Sequence, residues 1–333
     1  MKFAIGKTSL LTLCLTIALL VVPGYAVTNV LVGSSESHSI EKFDSNGNWI
    51  KTFASTGPWI MIGLAYSPIT GDVFVATNTE TILRYRYTGA SFGPQGSYWS
   101  TFSIASVAGS NPAQNLLFDA KGNLYVATYY GEFSVTGYQV EILKYSANEL
   151  LQQNPVPSGA PIITTLARGD QMAWDASGNI CIGSFIAPTV QCYNPTTGAL
   201  AFDYTSEIEA AGIQPGGIAF GPGNILMASS IFLDQVWVET TQHVGPMTLL
   251  ATGTVQPANV GWLAVDSSGM LYLPDFYNPG GRYEGSNPCT FYACMDYDFT
   301  SDVVYKIDPS SGALTNFITN HIWGPYQMIF VPF

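Results

Sequence analysis

Charge is scarce in this chain. Only 10% of its 333 residues are charged, and the cations are the rarer sign, with 11 Lys+Arg against 23 Asp+Glu. No basic patch occurs anywhere, which disfavours nucleic acid and anionic membrane surfaces, because both recruit clustered cations. Histidine is rarer still. His38, His243 and His321 are the whole set, and they form no metal-binding spacing. There is no Gly-x-Ser-x-Gly nucleophile elbow and no phosphate-cradling glycine loop. No sustained helical period is visible. The apolar stretch near the N-terminus is short for a bilayer span and no stop-transfer pattern follows it, so no transmembrane anchor is expected.

That stretch has the make-up of a targeting signal. Lys2 and Lys7 form its positive end, Ser9 to Val22 its apolar segment, and Gly24-Tyr25-Ala26 a small-x-small cleavage site. Residues 1–26 are therefore expected to be a signal peptide, and residues 27–333 a single domain that is secreted or periplasmic. Loss of Lys2 and Lys7 leaves nine cations against 23 anions, a net charge of −14. Cys14 leaves with the signal. The remaining four cysteines read as disulfides in an oxidising compartment. Cys181 and Cys192 flank a hairpin centred at Ile186 and Ala187, and Cys289 and Cys294 close a small loop. A metal site is the rival reading, but it lacks histidines nearby and short Cys spacing.

What the sequence has is repetition. A strand opening on an apolar residue, usually followed by a cation and an aromatic, begins at Ile40, Ile82, Ile142, Val190, Val236 and Val304. Ile40-Glu41-Lys42-Phe43, Ile142-Leu143-Lys144-Tyr145 and Val304-Tyr305-Lys306-Ile307 show the pattern. Val190-Gln191-Cys192-Tyr193 and Val236-Trp237-Val238-Glu239 are its weaker copies. Before each comes a tight turn feeding an apolar strand, as in Asp119-Ala120-Lys121-Gly122-Asn123-Leu124 and Asp175-Ala176-Ser177-Gly178-Asn179-Ile180. A short apolar strand lies upstream of each turn and a fourth strand downstream of each basic-aromatic strand. Each unit is thus four short antiparallel strands, a repeat that cannot bury its faces alone.

The two ends of the chain complete each other. Asn29 to Gly33 reads as a second strand with no first, and Gln327 to Val331 as an innermost strand with no successor. The expected fold is all-β: a six-bladed β-propeller of four-stranded antiparallel blades, about 51 residues each, closed by the C-terminal strand joining the N-terminal blade.

These turn–strand units resemble the NHL-repeat family and the wider group of six-bladed propellers that includes gluconolactonase-like and streptogramin-lyase-like proteins. The resemblance spans nearly all of residues 27–333. NHL repeats place an Asp just after the second strand and an Arg at the start of the third. Here the first of those places holds Thr77, Thr128, Ser184 and Ser229, with Asp275 the only acid. WD-repeat and kelch signatures are absent. Gluconolactonase-like enzymes hold a divalent metal near the starts of the innermost strands. The matching places here are Ala113-Gln114, Gly169-Asp170, Gly216-Gly217 and Val260-Gly261, so Asp170 alone is a hard-cation ligand, with Asn111 and Asn259 nearby. Several converging oxygens are needed for such a site. No metal or cofactor is assigned on this basis.

In propellers, the loops entering the innermost strands and those joining second to third strands share one face. Two of the latter are long here. Thr128 to Gln139 carries Tyr129, Tyr130 and Tyr138, and Asp275 to Ser301 carries Tyr277, Tyr283 and Tyr292. Long loops on a rigid scaffold are where binding concentrates, and tyrosine offers a flat apolar face with a polar tip. Tyr129, Tyr130, Asp275, Tyr277, Tyr283 and Trp323 are the candidate ligand contacts. His38, between second and third strands, and His321, before an innermost strand, fall on the same blade and face. With Asp170 they are the candidate acid–base set. The first expectation is an exported scaffold binding a small molecule, glycan or protein through its loop-rich face. The alternative is an exported lyase or hydrolase of the streptogramin-lyase or lactonase type using His38, Asp170 and His321, with a metal as an option.

Overall fold

Apolar residues run almost unbroken through the second strand of each repeat because both faces of that strand are buried. The structure, a computed structural model, describes residues 27–35, 37–87, 96, 98–104, 112–130, 139–152, 154–157, 162–165, 171–184, 188–230, 235–243, 246–252, 258–277 and 302–332. The chain lays down β1 (Val27–Ser34), β2 (Ser39–Asp44) and β3 (Trp49–Ser55), then β4 (Met61–Tyr66), β5 (Asp72–Thr77), β6 (Thr81–Arg86) and β7 (Tyr98–Ser103). Next come β8 (Ala113–Phe118), β9 (Leu124–Tyr130), β10 (Gln139–Tyr145) and β11 (Ile163–Thr165). The fourth group is β12 (Gln171–Trp174), β13 (Ile180–Ser184), β14 (Thr189–Tyr193) and β15 (Leu200–Asp203). A helix, α1 (Thr205–Ala211), leads to β16 (Pro215–Gly221), β17 (Ile225–Ser230), β18 (Gln235–Glu239) and β19 (Met247–Thr252). The sixth group is β20 (Ala258–Val260), β21 (Ala264–Val265), β22 (Leu271–Tyr277), β23 (Val303–Ile307) and β24 (Leu314–Ile318), and β25 (Pro325–Pro332) follows.

These strands form six antiparallel sheets, the blades of a six-bladed propeller. In blade 6 the innermost strand is broken into β20 and β21, both paired with β22. Blade 1 has the order β25-β1-β2-β3, with Val32 opposite Met328 and Val30 opposite Phe330. The C-terminal strand therefore completes the N-terminal blade, as the unpartnered strand patterns at the two ends require.

Alternate residues of each second strand serve different neighbours. In β1, Val30 and Val32 pack with Tyr272, Val304 and Met328 toward blade 6, while Leu31 joins Met61, Val73 and Val75 toward blade 2. In β9, Leu124 and Val126 face blade 2, and Tyr125 and Ala127 face blade 4. The core is thus a ring of apolar layers between blades, including one between blades 6 and 1 that holds the closure.

The basic-aromatic signature acquires a physical meaning here. Arg84 lies directly opposite Phe74, Lys144 opposite Tyr125 and Lys306 opposite Tyr272. Each cation sits over its partner's ring, at 4.9, 5.5 and 5.5 Å from the centroid respectively. Such contacts contribute roughly 0.5–1 kcal/mol each and cover ring faces between blades. In blade 4 the same register position is held by Cys192 opposite Cys181, and the two are disulfide-bonded. Arg84 is tied further, to Asp72 at 2.5 Å and to the Leu150 carbonyl at 2.6 Å, which links blade 2 to blade 3.

The turns after the innermost strands also follow from sequence. Asp175 accepts the Asn179 backbone N–H on one carboxylate oxygen at 2.7 Å and the Asn179 side-chain N–H on the other at 2.8 Å. Gly178 supplies the left-handed residue the turn requires, at φ 80°. The helix α1 departs from the sequence reading: no helical period is legible there. Its seven residues bury only Ile208 and end on Gly212 at φ 68°, too short a run to register as a period. Among the described residues no helix is long and apolar enough to cross a membrane.

Candidate functional site

An innermost strand presents one backbone edge to the propeller axis, and its N–H groups need acceptors. Three side-chain amides supply them. Just inside the point where each strand enters, the ladder slips by one residue, between Met61 and Gly63, Ala113 and Asn115, and Pro215 and Gly217, and in blade 1 between Ser34 and Gly33, opposite Pro325 and Gln327. In blades 1 and 3 the residue after the slip, Gln327 or Asn115, turns its side-chain amide toward the next blade, and in blade 4 Gln171 does the same. The Gln327 Oε1 accepts the Leu64 N–H, and the Asn115 Oδ1 accepts the Met172 N–H at 3.3 Å. Gln171 reaches furthest. Its Oε1 accepts the N–H groups of Ile218 at 2.7 Å and Leu263 at 3.0 Å, and its Nε2 donates to the Leu263 carbonyl at 2.8 Å.

Gln171 belongs to blade 4, Ile218 to blade 5 and Leu263 to blade 6, so one buried amide joins three blades. It can do so because blade 5 enters on Gly216-Gly217. A Cβ on Gly217 would lie 2.8 Å from the Leu263 nitrogen and 2.7 Å from the Ser229 Oγ. The Gln171 amide and the backbone groups of Ile218 and Leu263 that it meets are thereby mutually satisfied. Trp262 and Tyr326 meet edge to face at 5.0 Å, and the Trp262 N–H donates to the Tyr326 carbonyl at 2.9 Å.

Around this girdle stand the ends of the second strands. Ser34, Thr77, Thr128, Ser184 and Asp275 are all fully buried. Register makes Ser230, opposite Pro215, the blade 5 counterpart, as Thr77 is opposite Met61 and Thr128 opposite Ala113. Ser229, which the sequence pattern assigns to that place, instead accepts the Gly217 N–H at 2.9 Å. Asp275 is 0% exposed, between Val260 and Val303 on the flanking strands, so it is an interior carboxylate and not an open loop residue.

The histidines share a property that no motif announces. His38, His243 and His321 all have left-handed backbones, at φ 52°, 56° and 58°. The His38 Nδ1 lies 3.2 Å from the Trp59 carbonyl. His321 is exposed and its ring stacks on Trp49 at 4.2 Å, while Trp49 donates from Nε1 to the buried Glu41 at 2.9 Å. His243 hydrogen-bonds the Tyr204 hydroxyl through Nδ1 at 2.8 Å and packs on Phe202. Thus His38 and His321 each engage a different tryptophan residue.

Trp323 is half-buried, and the segment that carries it into β25 is clamped from both sides. The Trp323 N–H donates to the Ser34 Oγ at 3.3 Å, the Gly324 N–H to the Asp302 carboxylate at 2.7 Å, and the Ser35 Oγ to the Gly324 carbonyl at 2.9 Å. Tyr129 and Tyr130 end β9, and Tyr277 ends β22. These strands belong to blades 3 and 6, which face each other across a six-membered ring. Asp170, Tyr283, Cys289, Cys294 and Asn111 lie outside the described residues. Among the described residues, the group of three donors spaced to hold a metal ion is Asp175, Cys181 and Cys192, at the opposite end of the blades.

No family model matches the chain, and no curated protein matches it by sequence. Solved structures do match in fold. A nidogen/laminin complex chain superposes with a TM-score of 0.61 at 13% identity, covering 90% of this chain and 97% of that one. A streptogramin B lyase gives 0.54 at 12% identity, over 88% and 80% of the respective chains. The PQQ-bound aldose sugar dehydrogenase of Streptomyces coelicolor gives 0.55 at 15% identity, over 84% and 90%. At these identities the likeness establishes the six-bladed propeller and nothing about chemistry.

Proposed function

We propose that this chain is an exported propeller scaffold that binds a small molecule, glycan or protein on the face where the innermost strands enter. The observation that carries this reading is how the channel mouth is made. The Gln327, Asn115 and Gln171 amide oxygens accept backbone N–H groups of neighbouring blades, leaving them as structural ties and not reacting groups. Binding is then assigned to the loops that follow β9 and β22 in the chain. Tyr129-Tyr130 and Tyr277 lead into the two long loops from opposite blades, which supports a binding surface spanning the mouth. Export is supported by the N-terminal pattern and by the Cys181–Cys192 bond.

Replacing Tyr129, Tyr277 and Tyr283 by alanine is the test. Binding to arrayed glycans, peptides and small molecules should fall at least roughly tenfold for any ligand the wild type captures, with thermal unfolding nearly unchanged. The lyase or hydrolase reading has one supporting observation, the fold likeness to streptogramin B lyase. It requires His38, Asp170 and His321 to act together. Turnover of a lactone or cyclic depsipeptide that survives the tyrosine changes and is lost in His38→Ala or His321→Ala would replace the binding reading with the catalytic one.

A further inference from the structure

Two blades share a constellation that a third has rebuilt in sulfur. Asp119 and Asp266 open the turns after the innermost strands of blades 3 and 6. Each accepts a hydrogen bond from a tyrosine hydroxyl on the next strand, Tyr125 at 3.4 Å and Tyr272 at 3.0 Å. Above each tyrosine ring sits a third-strand ammonium, Lys144 or Lys306. Asp175 opens the same turn in blade 4, but Cys181 occupies the tyrosine position and Cys192 the lysine position. The carboxylate keeps both bonds from Asn179 and has lost the hydroxyl donor and the overhead cation. Two sulfurs face it instead. One carboxylate oxygen and both Sγ atoms lie within 4.8 Å of one another, and all three residues are buried.

We propose that reduction of the Cys181–Cys192 bond opens a site for one thiophilic divalent cation, of the zinc and cadmium class, held by the two sulfurs and the Asp175 carboxylate. In the oxidised protein the sulfurs are bonded to each other and cannot ligate. A thiol reductant breaks that bond: two electrons and two protons pass to the sulfurs, and two reductant thiols leave as their own disulfide. Metal binding then sends the two thiol protons to solvent. The donor type suits the ion, since thiolate and carboxylate are established zinc ligands at about 2.3 and 2.0–2.2 Å. Tetrahedral donors at those lengths lie about 3.5–3.8 Å apart, within the 4.8 Å that encloses the three ligand atoms. Asn179 already orients the carboxylate through one bond to each oxygen, as outer partners of metal ligands do. The divalent charge restores the cation that Lys144 and Lys306 supply in the sister blades.

Full-length mature protein, oxidised or reduced with a phosphine and desalted without air, is titrated with cadmium. The thiolate-to-cadmium charge-transfer band is followed, with near-ultraviolet circular dichroism to report packing. The band from this site is the part lost in Cys192→Ser, which leaves Cys289 and Cys294 in place. The reduced wild type should show one equivalent of that band with packing retained, and the oxidised protein none. Asp175→Asn should keep both thiols and weaken cadmium binding roughly tenfold or more. An equal band in the oxidised protein, unchanged affinity in Asp175→Asn, or loss of packing on reduction before metal is added would each overturn the site.

Discussion

Gln171 in blade 4 exchanges two hydrogen bonds with the backbone of Leu263 in blade 6, at 2.8 and 3.0 Å, passing over the bare Gly217 of blade 5. Strand pairing holds each blade together, but at the axis blades 4, 5 and 6 are joined by this side chain. Gln171→Ala leaves the N–H groups of Ile218 and Leu263 and the Leu263 carbonyl without their partner. Each buried group left unpaired costs roughly 1–3 kcal/mol, with water recovering part of it. The expected loss is about 3 kcal/mol in the denaturant midpoint analysis. Gln152→Ala, at an exposed position, should change stability by less than about 0.5 kcal/mol. Equal effects from the two substitutions would show that Gln171 does not hold the axis.

Much of this architecture is legible in the sequence, and the reason is periodicity. Second strands buried on both faces cannot hide, and the turn from Asp175 to Asn179 declares itself by its Asp, Gly and Asn. The unpartnered strand patterns at the two ends by themselves imply the β25–β1 pairing. The site is less legible because it depends on offsets of one residue. The slips near Gly63, Asn115 and Gly217 decide which residue meets the neighbouring blade, and no residue type marks them. Gln171 and Gln327 look like ordinary polar strand ends. The signal that could have found them is an amide placed directly after the entry position, in blades whose neighbour enters on glycine. His38 and His321 share a blade, yet their contacts are fixed by left-handed turns that sequence does not announce.

Buried phenols set the behaviour of this protein in alkali. Burial pushes the hydroxyls of Tyr85, Tyr87 and Tyr125 up from 10.0 to about 12, and those of Tyr145, Tyr204 and Tyr272 higher still. The folded state therefore keeps protons that the unfolded chain releases near pH 10. Stability from these groups is fully present below pH 10 and is lost as pH rises through about 12. Phenolate absorbance should rise in two stages, exposed tyrosines first and the buried set together with cooperative unfolding. A single titration near pH 10 with the fold intact would contradict the burial argument.

The Cys181–Cys192 bond closes a short loop between paired strands, with a sequence separation of 11. A loop of that size stabilises by about 3 kcal/mol in the chain-entropy picture, through restriction of the unfolded chain. Cys192→Ser should lower the unfolding free energy by that amount without abolishing cooperative folding, because Val190, Ile182 and Ile180 still bury their neighbours' faces. Mapping of unreduced peptides should show Cys181 joined to Cys192. Free thiol at either position in the purified oxidised protein, or a stability change near zero, would count against a structural role.

Closure makes the last strand indispensable. β25 supplies the whole inner edge of blade 1, pairing with β1 from Pro325 opposite Ser34 to Pro332 opposite Val27. Met328 fills the apolar layer between blades 6 and 1 with Val30, Val32 and Tyr272, and Val331 fills the layer toward blade 2. Gln327 also serves the Leu64 N–H of blade 2. Deleting residues 327–333 therefore removes a strand ladder, parts of two apolar layers and one axial tie together. It also leaves β1 as an open apolar edge, a template for association with another chain. The truncated protein should lose cooperative thermal unfolding and aggregate. A synthetic peptide spanning Trp323 to Phe333 should restore part of the folded signal by taking the vacant edge. Retention of the wild-type melting transition by the truncated chain would mean that β1 needs no partner, and the ring would not depend on this joint.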